Sequence, residues 1–170
     1  MSEISFLREQ LRKGHSDDPW HGPATTTLLW DLTPLEAAAH PVPGAHSVWE
    51  IVLHLIAWQN EVRHRLGGKA PGLPEEGDWP EPDEISEAAW ERDQQLLEAS
   101  LDKLLEALDR CTEADLERLG GSISDRDPAL GTGATHRAMI HGLIQHNAYH
   151  SGQIALLRKA LRAGVTPATA

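Results

Sequence analysis

The sequence predicts an all-α fold, a four-helix bundle. Apolar residues recur at spacings of three and four along most of the chain, the period of an amphipathic helix. β-branched residues are sparse, and no stretch alternates at period two. Ser and Thr stand where helices begin, and Pro- and Gly-rich stretches separate the periodic runs. Helices that each carry one apolar stripe must bury those stripes against one another, and a bundle is the economical way to do so.

Ile4, Leu7 and Leu11 stand at helical spacing and predict a first short helix, followed by a break over 15–22 (HSDDPWHG). Leu28, Leu29 and Leu32 resume the pattern. Thr33 then reads as an N-cap and Pro34 as the first position of a short turn through Ala39, with Pro41, Pro43 and Gly44 as loop. The second main helix has the clearest start. Ser47 with Glu50 forms a capping box, in which each side chain satisfies a backbone N–H at the other's position. Val48, Ile51, Val52, Leu55, Val62 and Leu66 make its apolar stripe, and Gly67-Gly68 ends it. Residues 67–85 hold four prolines and four glycines, which precludes regular structure. A connection that long is a crossover or a functional loop. Ser86 and Glu87 open a third helix through about Arg110, with Ala89, Leu96, Leu97, Leu101, Leu104, Leu105 and Leu108 apolar. Residues 112–115 predict a capped turn and 120–133 a loop. Thr135 caps a long final helix to about Arg162, closed by Gly164, with a frayed tail over 165–170. There is no internal repeat, and the expectation is one domain over 1–170 with its core at about 5–162.

The charge excludes one class of partner. The chain carries 15 Lys+Arg against 26 Asp+Glu, a formal net charge of −11. Phosphate backbones are bound by basic surfaces, and the longest basic cluster is Arg158-Lys159 with Arg162, so no nucleic-acid partner is expected. No apolar run approaches the roughly 18 residues of a membrane span. The segment MSEISFLREQLRK lacks an apolar signal core, and the expectation is a soluble cytoplasmic protein. Cys111 is the only cysteine, so an intramolecular disulfide is impossible, and nothing around it marks a nucleophile.

Ten histidines in 170 residues are the unusual feature. His146 and His150, in QHNAYHSGQI, are spaced i, i+4 and lie one turn apart on one helix face, where they can grip one metal ion. Met139, Leu143, Ile154 and Leu157 share that face, so the pair faces the bundle interior. A buried neutral pair must find partners, which a metal ion or neighbouring polar groups can supply. His54, in EIVLHLIAW, lies mid-helix at the edge of its stripe, as either a third ligand or a core residue. His15, His21, His40 and His46 fall in loops or at helix ends, His64 near a polar helix end and His136 after a cap. His141 lies about 140° around the helix from His146. HExxH, GxSxG, phosphate-loop and dinucleotide motifs are absent.

SVWEIVLHLIAW followed by QHNAYHSGQIALLR resembles the DinB-like superfamily, the damage-inducible, YfiT-like group of metal-dependent proteins. The resemblance spans roughly 5–162. It implies an up-down-down-up four-helix bundle with a long crossover between the second and third main helices, where 67–85 stands. It also implies one divalent metal held by His54, His146 and His150, and a homodimer. Relatives of this kind include transferases that use low-molecular-weight thiols such as bacillithiol or mycothiol.

Three imidazoles leave an ion with an open position, where a thiol or water can be activated. Zinc and nickel suit such ligands best, with manganese and iron also admissible. The expected activity is thiol transfer to an electrophile. The alternatives are a metal-dependent hydrolase and a non-enzymatic metal-binding or dimeric interaction protein. Trp58 is expected as a pocket wall, Gln153 as a residue orienting a ligand, and Arg158 as a solvated charge or a contact for a co-substrate carboxylate. Glu61 is expected near the site or on a solvent face. Trp49, Trp79 and Trp90 are read as packing.

Overall fold

The computed structural model describes residues 2–120 and 133–164. Seven helices are found there: α1 (Glu3–His15), α2 (Thr25–Leu29), α3 (Pro34–Ala38), α4 (Val48–Leu66), α5 (Glu87–Asp109), α6 (Glu113–Leu116) and α7 (His136–Arg162). No strand occurs among the described residues, only one isolated bridge between Leu119 and Thr135. The expected frayed tail and most of the expected loop over 120–133 lie outside the described residues.

Local chemistry sets the helix starts. Thr33, Ser47 and Thr112 each form a capping box, with Glu36, Glu50 and Asp115 respectively. Ser86 and Thr135 cap α5 and α7 through Ala89 N–H and Ala138 N–H. Gly164, at φ +63°, turns the chain after α7 in a conformation that suits glycine.

Pairings between elements give the direction of each long helix. Arg8 meets Asp109, Arg12 meets Asp102 and His15 meets Glu98, so α1 and α5 run antiparallel. Glu3 meets Arg137 and His141, while Gly14 and Asn147 share one cleft, so α1 and α7 run parallel. Trp49 Nε1 donates to Asp93 and Ser100 donates to Gln59, which makes α4 and α5 parallel. Ile51 shares one apolar cluster with Ile154 and Leu157, and Val62 shares the other with Ile140 and Leu143. Trp58 meets His146 while His54 meets His150, which sets α4 antiparallel to α7. The order is up-down-down-up. Two parallel neighbours, α4 and α5, can be joined only by a chain that returns the length of the bundle, and 67–85 is that chain.

The core falls into two apolar clusters. One joins α2, α3 and the first halves of α4 and α5 to the end of α7, around Trp49 and Trp90. The other joins α1, α6 and the later halves of α4 and α5 to the start of α7, around Leu101, Leu108 and Ile140. Each fully buried aliphatic side chain contributes about 1.5–3 kcal/mol. Between the clusters runs a polar layer: Gln59 with Ser100, Thr25 with Ser151, and His54 beside α7. No helix among the described residues is long and apolar enough to cross a membrane.

Two expectations are corrected here. Glu61 does not lie on a solvent face, and its carboxylate is not a member of the histidine cluster. It is 1 % exposed and bonded by Arg65 Nε (2.8 Å), Lys69 Nζ (3.0 Å) and the Gly72 N–H (3.3 Å). Arg65 also donates to the Gly72 carbonyl, so this ion pair pins the root of the crossover to α4. Arg158 is neither solvated nor facing the histidines. Its guanidinium donates to the Leu28 and Trp30 carbonyls and to Asp31, clamping the end of α2 onto α7. Sequence spacing could not show those carbonyls, because they belong to an element distant in the chain.

Burial pushes the Glu61 carboxyl up, but hydrogen bonds from Arg65 and Lys69 outweigh it and hold the group below its ordinary 4.5. A carboxyl lowered by folding adds stability above its unfolded pKa and loses it as pH falls through the folded value. Glu61→Gln is therefore expected to flatten the acid limb of a stability-against-pH curve below about pH 4.5. Glu61→Ala should cost about 3–5 kcal/mol in urea denaturation at pH 7, because the buried Arg65 loses the carboxylate of its ion pair. A loss under about 1 kcal/mol would contradict this account of the crossover's root.

Candidate metal centre

Three histidines meet in the seam between α4 and α7. The capping box at Ser47 fixes the start of α4 and so its phase, which brings His54 to the side facing α7. His146 and His150 come from successive turns of α7. His54 and His150 are each 4 % exposed, and His146 is half-buried. Ring centroids are 4.9 Å apart for His54–His146, 4.7 Å for His54–His150 and 4.5 Å for His146–His150. One nitrogen from each ring lies within 4.8 Å of the other two.

The outer nitrogens face oxygen acceptors. His54 Nδ1 donates to the Asp78 carbonyl (2.5 Å), with the Asp78 carboxylate 3.4 Å away. His150 Nδ1 donates to Gln153 Oε1 (2.6 Å), and His146 Nδ1 faces Asn147 Oδ1 at 3.5 Å. The close acceptors at Nδ1 of His54 and His150 favour the proton there and leave the Nε2 lone pairs of those two rings free. His54 Nε2 and His146 Nε2 are then 2.9 Å apart. Two lone pairs at that distance repel unless a proton or a metal cation lies between them. Nitrogens about 2.0–2.1 Å from one ion are themselves about 3 Å apart or slightly more, so the donor set fits a divalent transition metal.

Burial pushes His146 down to about 4, helped by the charge of His54, and pushes His150 down to about 4, helped by His146. Burial lowers His54 as well, against the pull of the Asp78 carbonyl. The uncharged imidazole is the form that ligates metals.

The crossover supplies a cover. Trp79 stacks on His54 at 3.9 Å and 8°, and its other face stacks on His46 at 3.6 Å and 5°. Trp58 stands edge-on to His54 at 6.3 Å, and its Nε1 donates to Asp78 Oδ1 (2.8 Å). Asp78 thus ties His54, Trp58 and the crossover into one unit.

A family model described as the DinB superfamily matches residues 20–154, most of the chain and all of these histidines. The chain belongs to the DinB superfamily. A crystal structure of a conserved protein from Enterococcus faecalis has the same fold, with a TM-score of 0.68 and 20 % identity, covering 96 % of this chain and 99 % of that one. No curated protein matches the chain.

The structure brings together His54, His146, His150, Trp58 and Gln153 from among the candidates read in the sequence, and it places Glu61 and Arg158 elsewhere. The other histidines serve different ends. His15 is buried against Glu98, His40 bonds Glu50, and His64 bonds Arg63. Asp78, Trp79 and His46 were not singled out for the site. All three lie in loops, where no periodicity assigns a side chain to a face. The one available signal was a tryptophan inside a Pro- and Gly-rich crossover.

Residues that hold a ligating histidine by its outer nitrogen typically change metal affinity by about 10- to 100-fold when removed. Asp78→Ala and Gln153→Leu are each expected to weaken zinc binding by about that factor in competition with a chromophoric chelator. Unchanged affinity in both variants would contradict these positioning roles.

Proposed function

We propose that this DinB-superfamily chain holds one divalent transition metal on His54, His146 and His150 and activates a low-molecular-weight thiol, of the bacillithiol or mycothiol type, for transfer to an electrophile. One observation carries the reading. Three imidazole nitrogens converge, and no fourth His, Cys, Asp or Glu joins the cluster among the described residues. Structural metal sites are closed by four protein ligands, whereas sites that act on a ligand keep a position open. Zinc and nickel are the favoured ions, and manganese and iron suit the same donors less well.

When bound, the ion supplies Lewis acidity that lowers the pKa of a thiol and polarises an electrophilic carbonyl. The chain's own residues do the rest. Asp78 and Gln153 keep the protons of His54 and His150 on the outer nitrogens. Trp79 and Trp58 cover His54 and exclude water from that side. The thiol comes from the co-substrate, since burial raises the Cys111 thiol and Cys111 sits at the far end of α5. Hydrolysis by a metal-activated water is assisted by a nearby general base. Glu61 is held by Arg65 and Lys69, and the Asp78 carboxylate already accepts from Trp58, so thiol transfer is the better supported reading.

The test uses zinc- or nickel-loaded protein with bacillithiol or mycothiol and 1-chloro-2,4-dinitrobenzene. The reading predicts thiol-dependent arylation with chloride release above the uncatalysed rate, lost by at least 100-fold in His54→Ala. Rates at the uncatalysed level with every metal and thiol pair would refute it.

A further inference from the structure

A second feature adjoins the histidine cluster. Between α7 and the segment that leads into α4 lies a cleft of about 280 Å³. Val42, Ile51, Leu156 and Leu157 form its apolar walls, and His46 and Gln153 are its polar members. Leu156 is 65 % exposed and Val42 42 %, so the mouth is open to solvent on an apolar rim.

Gln153 belongs to both places. Its Oε1 accepts from His150 Nδ1, so its amide N–H₂ is what remains to be offered to the cleft. No hydrogen bond among the described residues uses that N–H₂. His46 marks the same adjacency from the other side, because Trp79 lies sandwiched between His46 and His54. Whatever occupies the cleft therefore rests one amide away from His150 and one indole away from His54.

The chemistry of the walls selects the occupant. An N–H₂ donor calls for an oxygen acceptor. Neither Lys nor Arg lines the cleft, and the Glu50 carboxylate lies 3.6 Å from His46 Nδ1, so nothing compensates a negative head group. A volume of about 280 Å³ holds about nine non-hydrogen atoms at roughly 30 Å³ each.

We infer that this cleft binds an uncharged carbonyl compound with an apolar chain of about five to eight carbons, its oxygen accepting from Gln153 and its chain lying against Val42, Ile51 and Leu156. As the electrophile's subsite it rests on the thiol-transfer reading. As a ligand site it stands apart from that reading.

The probe is 2-heptanone, titrated against metal-free and zinc-loaded protein by saturation-transfer NMR, with hexanoate as the charged counterpart. Saturable binding of the ketone is expected in both states, with hexanoate at least fivefold weaker. Leu156→Trp fills the open rim without touching the core and should weaken the ketone at least tenfold. Gln153→Glu keeps an acceptor for His150 Nδ1 but removes the donor, and should weaken it as much. Retained zinc in Gln153→Glu would show that His150 is still held. Ketone binding unchanged in both variants, or equal to that of hexanoate, would overturn the inference. Ketone binding without any thiol transfer would leave the cleft standing and remove the proposed reaction, whereas thiol transfer without ketone binding would do the reverse.

Discussion

The seam of α4 and α7 is organised by three buried imidazoles whose crowded inner nitrogens conflict unless they share a proton or a metal cation. His54 Nε2 and His146 Nε2 point at each other across 2.9 Å, and His150 joins them from the next turn. The His54 and His150 rings cannot turn away without cost, because each outer nitrogen bonds an oxygen. An apolar core would have resolved the conflict by replacing the histidines, since an unsatisfied buried polar group costs about 1–3 kcal/mol. The chain instead surrounds the three rings with groups that keep them facing inward. That is the arrangement expected where a cation is to be held.

The long crossover is the second half of the same design. Parallel packing of α4 and α5 demands a connection that travels back along the bundle, and the site makes use of that necessity. At its root the crossover is fixed by the buried Glu61–Arg65 pair and by Lys69. Farther on, Asp78 and Trp79 close over His54. The two anchors are of different kinds. The root is ionic and weakens in acid, whereas the cover is held by stacking and by hydrogen bonds to His54 and Trp58. A loop of this composition gains order from such contacts rather than from its own backbone pattern.

Much of the fold was legible because helix chemistry is local. The capping boxes at Thr33 and Ser47, the Ser86 and Thr135 caps and the apolar stripes place the main helices within a residue or two of where they lie. His146 and His150 could be assigned to the buried face from spacing alone, because a single helix carries both. Bringing His54 to them depends on the packing of two helices, which one chain's periodicity does not encode, and the family resemblance supplied it. Asp78 and Trp79 lay beyond either signal, since a Pro- and Gly-rich run has no phase. Glu61 shows a further limit. Its i, i+4 relation to Arg65 is visible in the sequence, yet the same spacing describes an exposed pair on a helix surface, and only the return of Gly72 over it makes the pair buried.

Metal content by elemental analysis, on untagged protein purified without chelator and compared with His150→Ala, tests the central claim most directly. The account predicts one transition-metal ion per chain in the wild type and a loss of most of it in the variant, with both proteins equally helical by circular dichroism. Absence of bound metal in the wild type, even after loading with zinc, nickel or manganese, would contradict it and leave the three histidines as a buried polar cluster of the core.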